Sequence, residues 1–255
     1  MTSPYCADER LKSWLASGEP VGCHWLSLGA PVLAEMAADA GAQTIVIDMQ
    51  HGRWDREGLE NAIAAIRGRA PPLVRTADAS DFAIGQALDA GAHGVIVPMV
   101  NSAAEAAQVV AAAHYPPLGR RSGGGVRPMT GFRAYRESMD RHMVAAVMIE
   151  TLGALEAVEA IAATERLGMV FVGPHDLSLA LGAAPDSAEF EAALQRVLAA
   201  CKNAGTRAGI YTATPAQASA RAAQGFRFVV AASDQHLNGA EARSVWARFR
   251  AIGAA

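Results

Sequence analysis

A short apolar run followed by an alanine-rich stretch of helical period recurs along almost the whole chain. That alternation constrains the fold more than any other feature. Eight runs have strand character: "VGCHWLS" (21–27), "TIVIDM" (44–49), "PLVR" (72–75), "GVIVPM" (94–99), "AAVMIE" (145–150), "MVFVG" (169–173), "RAGIY" (207–211) and "FRFVVA" (226–231). The second begins with consecutive β-branched residues, Thr44 to Ile47, which favour extended backbone. Between the runs lie segments such as "AEMAADAGA", "AIGQALDAGAHG" and "VLAACKNAGT". Each carries a glycine near its end, where a helix wants a left-handed cap. Strands alternating with helices imply βα units and a parallel sheet. Eight such units in 255 residues predict a (β/α)8 TIM barrel. No linker, low-complexity segment or charge run divides the sequence, so residues 1–255 read as one domain.

Composition narrows the class. A hydrophobic content of 51% supplies a sizeable core, and a net charge of -3 offers no basic field for nucleic acid. Cys6, Cys23 and Cys201 fit neither a disulfide framework nor a CxxC metal site, which points to a reducing compartment. No apolar stretch approaches the roughly 20 residues that span a bilayer. Charges between Asp8 and Lys12 interrupt any signal-peptide core. The expectation is a soluble, cytoplasmic protein. The longest irregular piece, 114–135, holds a Gly123–Gly125 run that matches neither phosphate-loop motif, so a mobile lid or a subunit contact is expected there.

In a barrel of this kind the C-terminal ends of the strands form the active face. Polar residues cluster at those ends. Strand two leads to Asp48, Gln50 and His51, strand three to Arg75, strand five to Glu150, and strand six to Asp176 in "GPHDLS". Neighbouring strands lie about 4.8 Å apart, so Glu150 and Asp176 could share a hard cation such as Mg²⁺ or Mn²⁺, leaving its other positions to water and substrate. The alternatives are an N-cap role for Asp176 and an arginine partner for Glu150. The amides of His175 and Asp176, at an expected helix start after Pro174, would suit a substrate carboxylate. Arg75 could face a keto oxygen, pair with Asp48, or do both. An imidazole titrates near neutrality, which suits His51 to acid–base work, although a lone histidine is as readily structural.

The motifs "IDMQHG", "LVR", "ALDAGAHGVIVPMV", "HYPPLGRRSGGG", "VMIET" and "FVGPHDLSLALG" occur in order and register between about residues 10 and 235. Together they resemble the class II pyruvate aldolases of the HpcH/HpaI family, which include 4-hydroxy-2-oxoheptanedioate and 2-keto-3-deoxy sugar acid aldolases. The resemblance implies a barrel of the phosphoenolpyruvate/pyruvate type. It also implies divalent-metal-dependent cleavage of a 4-hydroxy-2-oxo acid, through a metal-bound enolate, to pyruvate or a related 2-oxo acid plus an aldehyde, with Mg²⁺, Mn²⁺ or Co²⁺ as cofactor. Glu150 and Asp176 match the metal ligands, Arg75 the enolate-stabilising arginine, and His51 the acid–base histidine. Asp89 matches the histidine's carboxylate partner, and the amides around Gly173, His175 and Asp176 the carboxylate pocket. Asp89 precedes strand four, at the opposite end of its own barrel, so a neighbouring subunit would have to supply it. The resemblance implies a hexamer built as a trimer of dimers, and the C-terminal "GAEARSVWARFR" suits either a neighbour's surface or the eighth barrel helix.

Three positions depart from the family pattern: Gln50 stands where glutamate is frequent, Met148 where glutamine is, and His175 where alanine is. With Tyr211 at the strand-seven exit, these residues bear on substrate preference rather than reaction class. A CoA-thioester lyase of the citrate-lyase β type remains an alternative, although "MQHG" followed by "LVR" favours the free-acid aldolase. A phosphoenolpyruvate-type mutase lacks its usual cysteine loop here. A non-catalytic barrel binding metal and keto acid would have no need of His51.

Overall fold

Strands β1 (Val21–Leu26), β2 (Thr44–Asp48), β3 (Pro72–Arg75), β4 (Gly94–Val97), β5 (Val144–Ile149), β6 (Met169–Val172), β7 (Arg207–Ile210) and β8 (Phe228–Ser233) pair in parallel and in sequence order. Pairing of β1 with β8 closes the barrel. This computed structural model describes residues 5–239 and 243–244. Most of the C-terminal segment 239–250, expected above as a last helix or a neighbour contact, therefore lies outside the described residues. The TIM barrel is the fold that the alternation predicts; β3 keeps its expected limits, and the other strands depart from theirs only at the ends.

Side-chain alternation sorts the strands into two cores. Cys23, Trp25, Val46, Leu73, Ile96, Ala146, Met148, Met169, Phe171, Phe228 and Val230 fill the barrel interior. Their neighbours Ile45, Ile47, Val74, Val95, Val97, Val147, Ile149, Val170 and Val172 pack outward against the helices. Both faces are thus buried, which is why the strands read as continuous apolar runs. Helix Glu9–Ser17 closes the N-terminal end of the barrel by adding Leu11 and Leu15 to the inner core. Gly41, Gly91 and Gly205 end their helices with positive φ, as the sequence pattern requires.

The alternation has a consequence at the other end. Side chains two residues beyond an inward residue also point inward. The inner series 144, 146, 148 on β5 continues to Glu150, and Leu73 on β3 is followed by Arg75. Val46 on β2 is likewise followed by Asp48, and Phe171 on β6 by Gly173. The polar ends of the strands therefore converge over the barrel mouth.

The segment 114–135 differs from expectation. It is not irregular throughout, since it contains helix Val126–Met129 and the start of helix Phe132–His142. It joins the helix after β4 to the beginning of β5, so it lies at the N-terminal end of the barrel. Its Arg120 reaches along helix Asp81–Asp89 to pair with Asp81 at that helix's start. No helix among the described residues is long and apolar enough to cross a membrane.

Candidate active site

A cleft of about 520 Å³ opens over the C-terminal ends of the strands. Its floor is aromatic: Trp25 stacks on Phe171 with centroids 5.7 Å apart and meets Tyr211 edge-on at 5.5 Å. His51, Arg75, Gly173, His175, Asp176 and Tyr211 all line it, together with Asp48 and Met148. Sequence reasoning thus brings most of its candidates to one place.

Asp48 and Arg75 face each other in the β2–β3 register. Arg75 Nε donates to Asp48 Oδ1 at 2.8 Å, and Nη2 to Oδ2 at 2.6 Å. The Asp48 carboxylate is 2% exposed. It also accepts from the Gln50 and His51 amides, at 3.1 and 3.2 Å, and from Trp25 Nε1 at 3.3 Å. Burial alone would raise the pKa of Asp48, but the hydrogen bonds and charge of Arg75, aided by the His51 amide, outweigh it and hold the pKa below the ordinary carboxylate value. The same bonds fix the turn that carries His51. Arg75 lies with its guanidinium carbon 5.1 Å from the centre of the Trp25 ring. The ion pair occupies Nε and Nη2, leaving Nη1 outside it. Both roles considered for Arg75, partner of Asp48 and a cation facing the cleft, are compatible.

Glu150 is 2% exposed. Its Oε1 accepts the Met99 amide at 2.7 Å. Met99 has φ 60, a conformation that strains a residue with a side chain and that turns this amide into place. The other oxygen lies over Gly173, where a Cβ would come within 2.6 Å of Oε2. Only glycine leaves that space. Burial raises the pKa of Glu150, the Met99 amide opposes the rise, and the charge of Asp176 adds to it. Two acids brought together with such a penalty are what a divalent cation relieves.

Both alternatives for this pair are excluded. The helix Pro174–Leu181 begins after Gly173 and has no side-chain cap, so Asp176 is a first-turn residue rather than the cap. No arginine forms an ion pair with Glu150 among the described residues. Nor do three or more His, Cys, Asp or Glu side chains form a metal-ligand group among the described residues. Two carboxylates would leave the remaining coordination positions to water and substrate, so this donor set suits a hard cation such as Mg²⁺ or Mn²⁺.

Asp89 stands apart. It ends helix Asp81–Asp89 and pairs with Arg121 at 2.7 Å. It does not line the cleft of its own chain, as its place before β4 requires. Sequence reasoning missed Trp25, Ser27 and Leu28 at the β1 exit, and Arg53, Phe171, Pro174 and Gln235 elsewhere around the cleft. The strand-exit rule applied to "HWLSLG" would have found the first group.

The sequence profile of the HpcH/HpaI aldolase/citrate lyase family matches residues 22–238. The chain belongs to this family. A hydroxypyruvate/pyruvate aldolase of Rhizorhabdus wittichii is 39% identical over 92% of this chain and 96% of its own length. A 2-keto-3-deoxy-L-rhamnonate aldolase of Salmonella schwarzengrund is 35% identical over 94% of this chain and 93% of its own. The crystal structure of an HpcH/HpaI aldolase/citrate lyase family protein from Burkholderia cenocepacia superposes with a TM-score of 0.88 at 31% identity, covering 95% of this chain and 100% of that one. As a member of the HpcH/HpaI family, the chain is a carbon–carbon lyase of the aldolase type.

Proposed function

We propose that the chain is a divalent-metal-dependent aldolase that splits a 4-hydroxy-2-oxo acid into a 2-oxo acid and an aldehyde, and that also runs the addition. The observation that carries this reading is Glu150: a buried carboxylate at the β5 exit that feels the charge of Asp176, beneath the cleft that Asp176 and Arg75 line. The names of the relatives point to pyruvate or hydroxypyruvate as the 2-oxo acid.

Glu150 and Asp176 would hold the cation. Bound there, it would supply Lewis-acid polarisation of the substrate's carboxylate and oxo oxygens. The amides at the start of helix Pro174–Leu181 would orient the substrate carboxylate. In the cleavage direction His51 would take the proton of the 4-hydroxyl as the C3–C4 bond breaks. The bonding electrons pass into the oxo group as an enolate, and Arg75 would stabilise the charge on its oxygen. Protonation at C3 completes the 2-oxo acid. Asp48 holds both ends of this machinery, since it binds the Arg75 side chain and the His51 amide.

Asp89 enters this reading only across a subunit boundary. Its carboxylate is 24% exposed and held by Arg121, and a second copy would have to bring it to His51. Oligomerisation would then complete the site.

The test is a turnover screen of pyruvate and hydroxypyruvate with a panel of aldehydes, with Mg²⁺, Mn²⁺, Co²⁺ or chelator. Addition products should form with an ion present and vanish in chelator. Undiminished rates in chelator would contradict the reading.

A further inference from the structure

The Glu150 carboxylate is aimed by a backbone group, and that group belongs to a residue tied on both sides. The Met99 amide donates to Glu150 Oε1 at 2.7 Å, the one hydrogen bond that this carboxylate accepts among the described residues. The Met99 carbonyl accepts from Asn101 Nδ2 at 2.8 Å. Between these bonds Met99 has φ 60; among the described residues only Met99 and Arg166 take a positive φ without being glycine. The Met99 side chain is 53% exposed, which leaves the backbone bonds to hold the conformation.

Asn101 is itself anchored to two helix starts. Its amide donates to Glu105 Oε2 at 2.6 Å, and Ser102 caps helix Ala103–Ala113 by accepting the Glu105 amide at 3.2 Å. Its Oδ1 accepts the hydroxyl of Thr151, the residue directly after Glu150. Thr151 in turn accepts the Ala154 amide at 3.0 Å and caps helix Leu152–Glu156. The two ends of the Asn101 amide are therefore not interchangeable, since Nδ2 faces a carbonyl and Oδ1 a hydroxyl. One side chain bridges the turn after β4 and the residue after the β5 carboxylate.

We propose that Asn101 is a positioning residue for the metal-binding carboxylate. By holding Met99 at positive φ, it keeps the Met99 amide on Glu150 and sets that carboxylate toward the cation. The inference rests on the metal-dependent reading above. A residue with a side chain leaves the left-handed region unless its surroundings over-determine it. Without the Asn101 tie, Met99 relaxes to negative φ and its amide swings off Oε1.

The experiment measures Mn²⁺ dissociation constants, from the electron paramagnetic resonance signal of the free ion. It uses the unsubstituted protein, Asn101→Ala, Met99→Gly, the double variant, and Glu150→Gln as control. Asn101 is exposed, so Asn101→Ala keeps the core intact, and thermal unfolding without metal checks this. Asn101→Ala should weaken Mn²⁺ binding about ten- to a hundredfold, the range for groups that orient a metal ligand. Glycine takes a positive φ without the side-chain penalty, which makes the tie dispensable. In the Met99→Gly background the same substitution should therefore cost about threefold or less, the difference being the coupling between the two residues. An equal loss in both backgrounds would make Asn101 a general brace and overturn its action through Met99. Undiminished affinity in Asn101→Ala would overturn it outright. The two readings fail separately. Mn²⁺ binding that needs Glu150 but ignores Asn101 sinks the positioning role alone, whereas binding that is absent, or that survives Glu150→Gln intact, sinks the metal reading and this role with it.

Discussion

The two ends of the barrel each carry an aspartate–arginine pair, and the pairs are built inside out relative to one another. At the C-terminal end the carboxylate is the hidden partner: Asp48 is 2% exposed and Arg75 is 11% exposed. At the N-terminal end the cation is hidden: Arg121 is 2% exposed and Asp89 is 24% exposed. Arg121 lies with its guanidinium carbon 4.6 Å from the ring centre of Tyr115 and donates to Tyr135 Oη at 3.0 Å. The first pair presents a positive edge to the cleft, and the second presents a negative edge outward. On the function proposed above, the first pair would face developing negative charge and the second would offer its carboxylate to a neighbour.

Breaking the first pair should have the larger effect. Arg75→Ala removes the charge facing the oxo oxygen, and kcat should fall about 10²- to 10³-fold in steady-state assays. Asp48→Asn should strip the arginine of its anion and cost about 3–5 kcal/mol in denaturant unfolding. If Arg75→Ala retained full kcat, the cation at this end would be structural only.

The second pair separates differently. Asp89→Ala leaves the buried Arg121 guanidinium without its carboxylate, so the variant is checked for folding first, and its activity should drop about ten- to a hundredfold, within the range for a proton-transfer component. Mixed with His51→Ala after subunit exchange, it should regain part of that loss, because a hybrid interface contains one intact set. No recovery in demonstrably exchanged mixtures would confine Asp89 to a structural role at its own end of the barrel.

A smaller effect distinguishes the ends by pH. His93, beside Asp89's end of the barrel, accepts the Asp8 amide on Nδ1 at 3.0 Å. Burial pushes its pKa down to about 4 from 6.5. Between those values the unfolded chain binds a proton that the folded chain refuses, so stability is full above 6.5, declines as pH falls, and levels off below about 4. His93→Asn should remove about 1–3 kcal/mol of that decline, read from unfolding at pH 7 and 4.5. An unchanged decline would place the acid sensitivity elsewhere.

Much of this was legible in the sequence because the strands are short and buried on both faces. Period-two alternation then carries Glu150, Arg75 and Asp48 inward once the strand is found, and "GPHDLS" announces its own helix start. What escaped depends on contacts that no local pattern encodes. The Met99 amide meets Glu150 across 51 positions, and Asp234 meets Leu28 across 206. Arg53 resembles any surface arginine until barrel closure places the β1 loop against it. The segment 114–135 misled because its glycines and prolines read as a loop, whereas its connection to β5 sets its end of the barrel.

The account depends on Glu150 and Asp176 jointly making a 2-oxo acid easy to enolise. Proton exchange from the pyruvate methyl group in D₂O measures that directly, without an aldehyde partner. Exchange should require added Mn²⁺ or a similar ion, stop in chelator, and be lost in Glu150→Gln and Asp176→Asn variants that remain folded. Exchange that proceeds equally fast in chelator, or survives both substitutions, would contradict it.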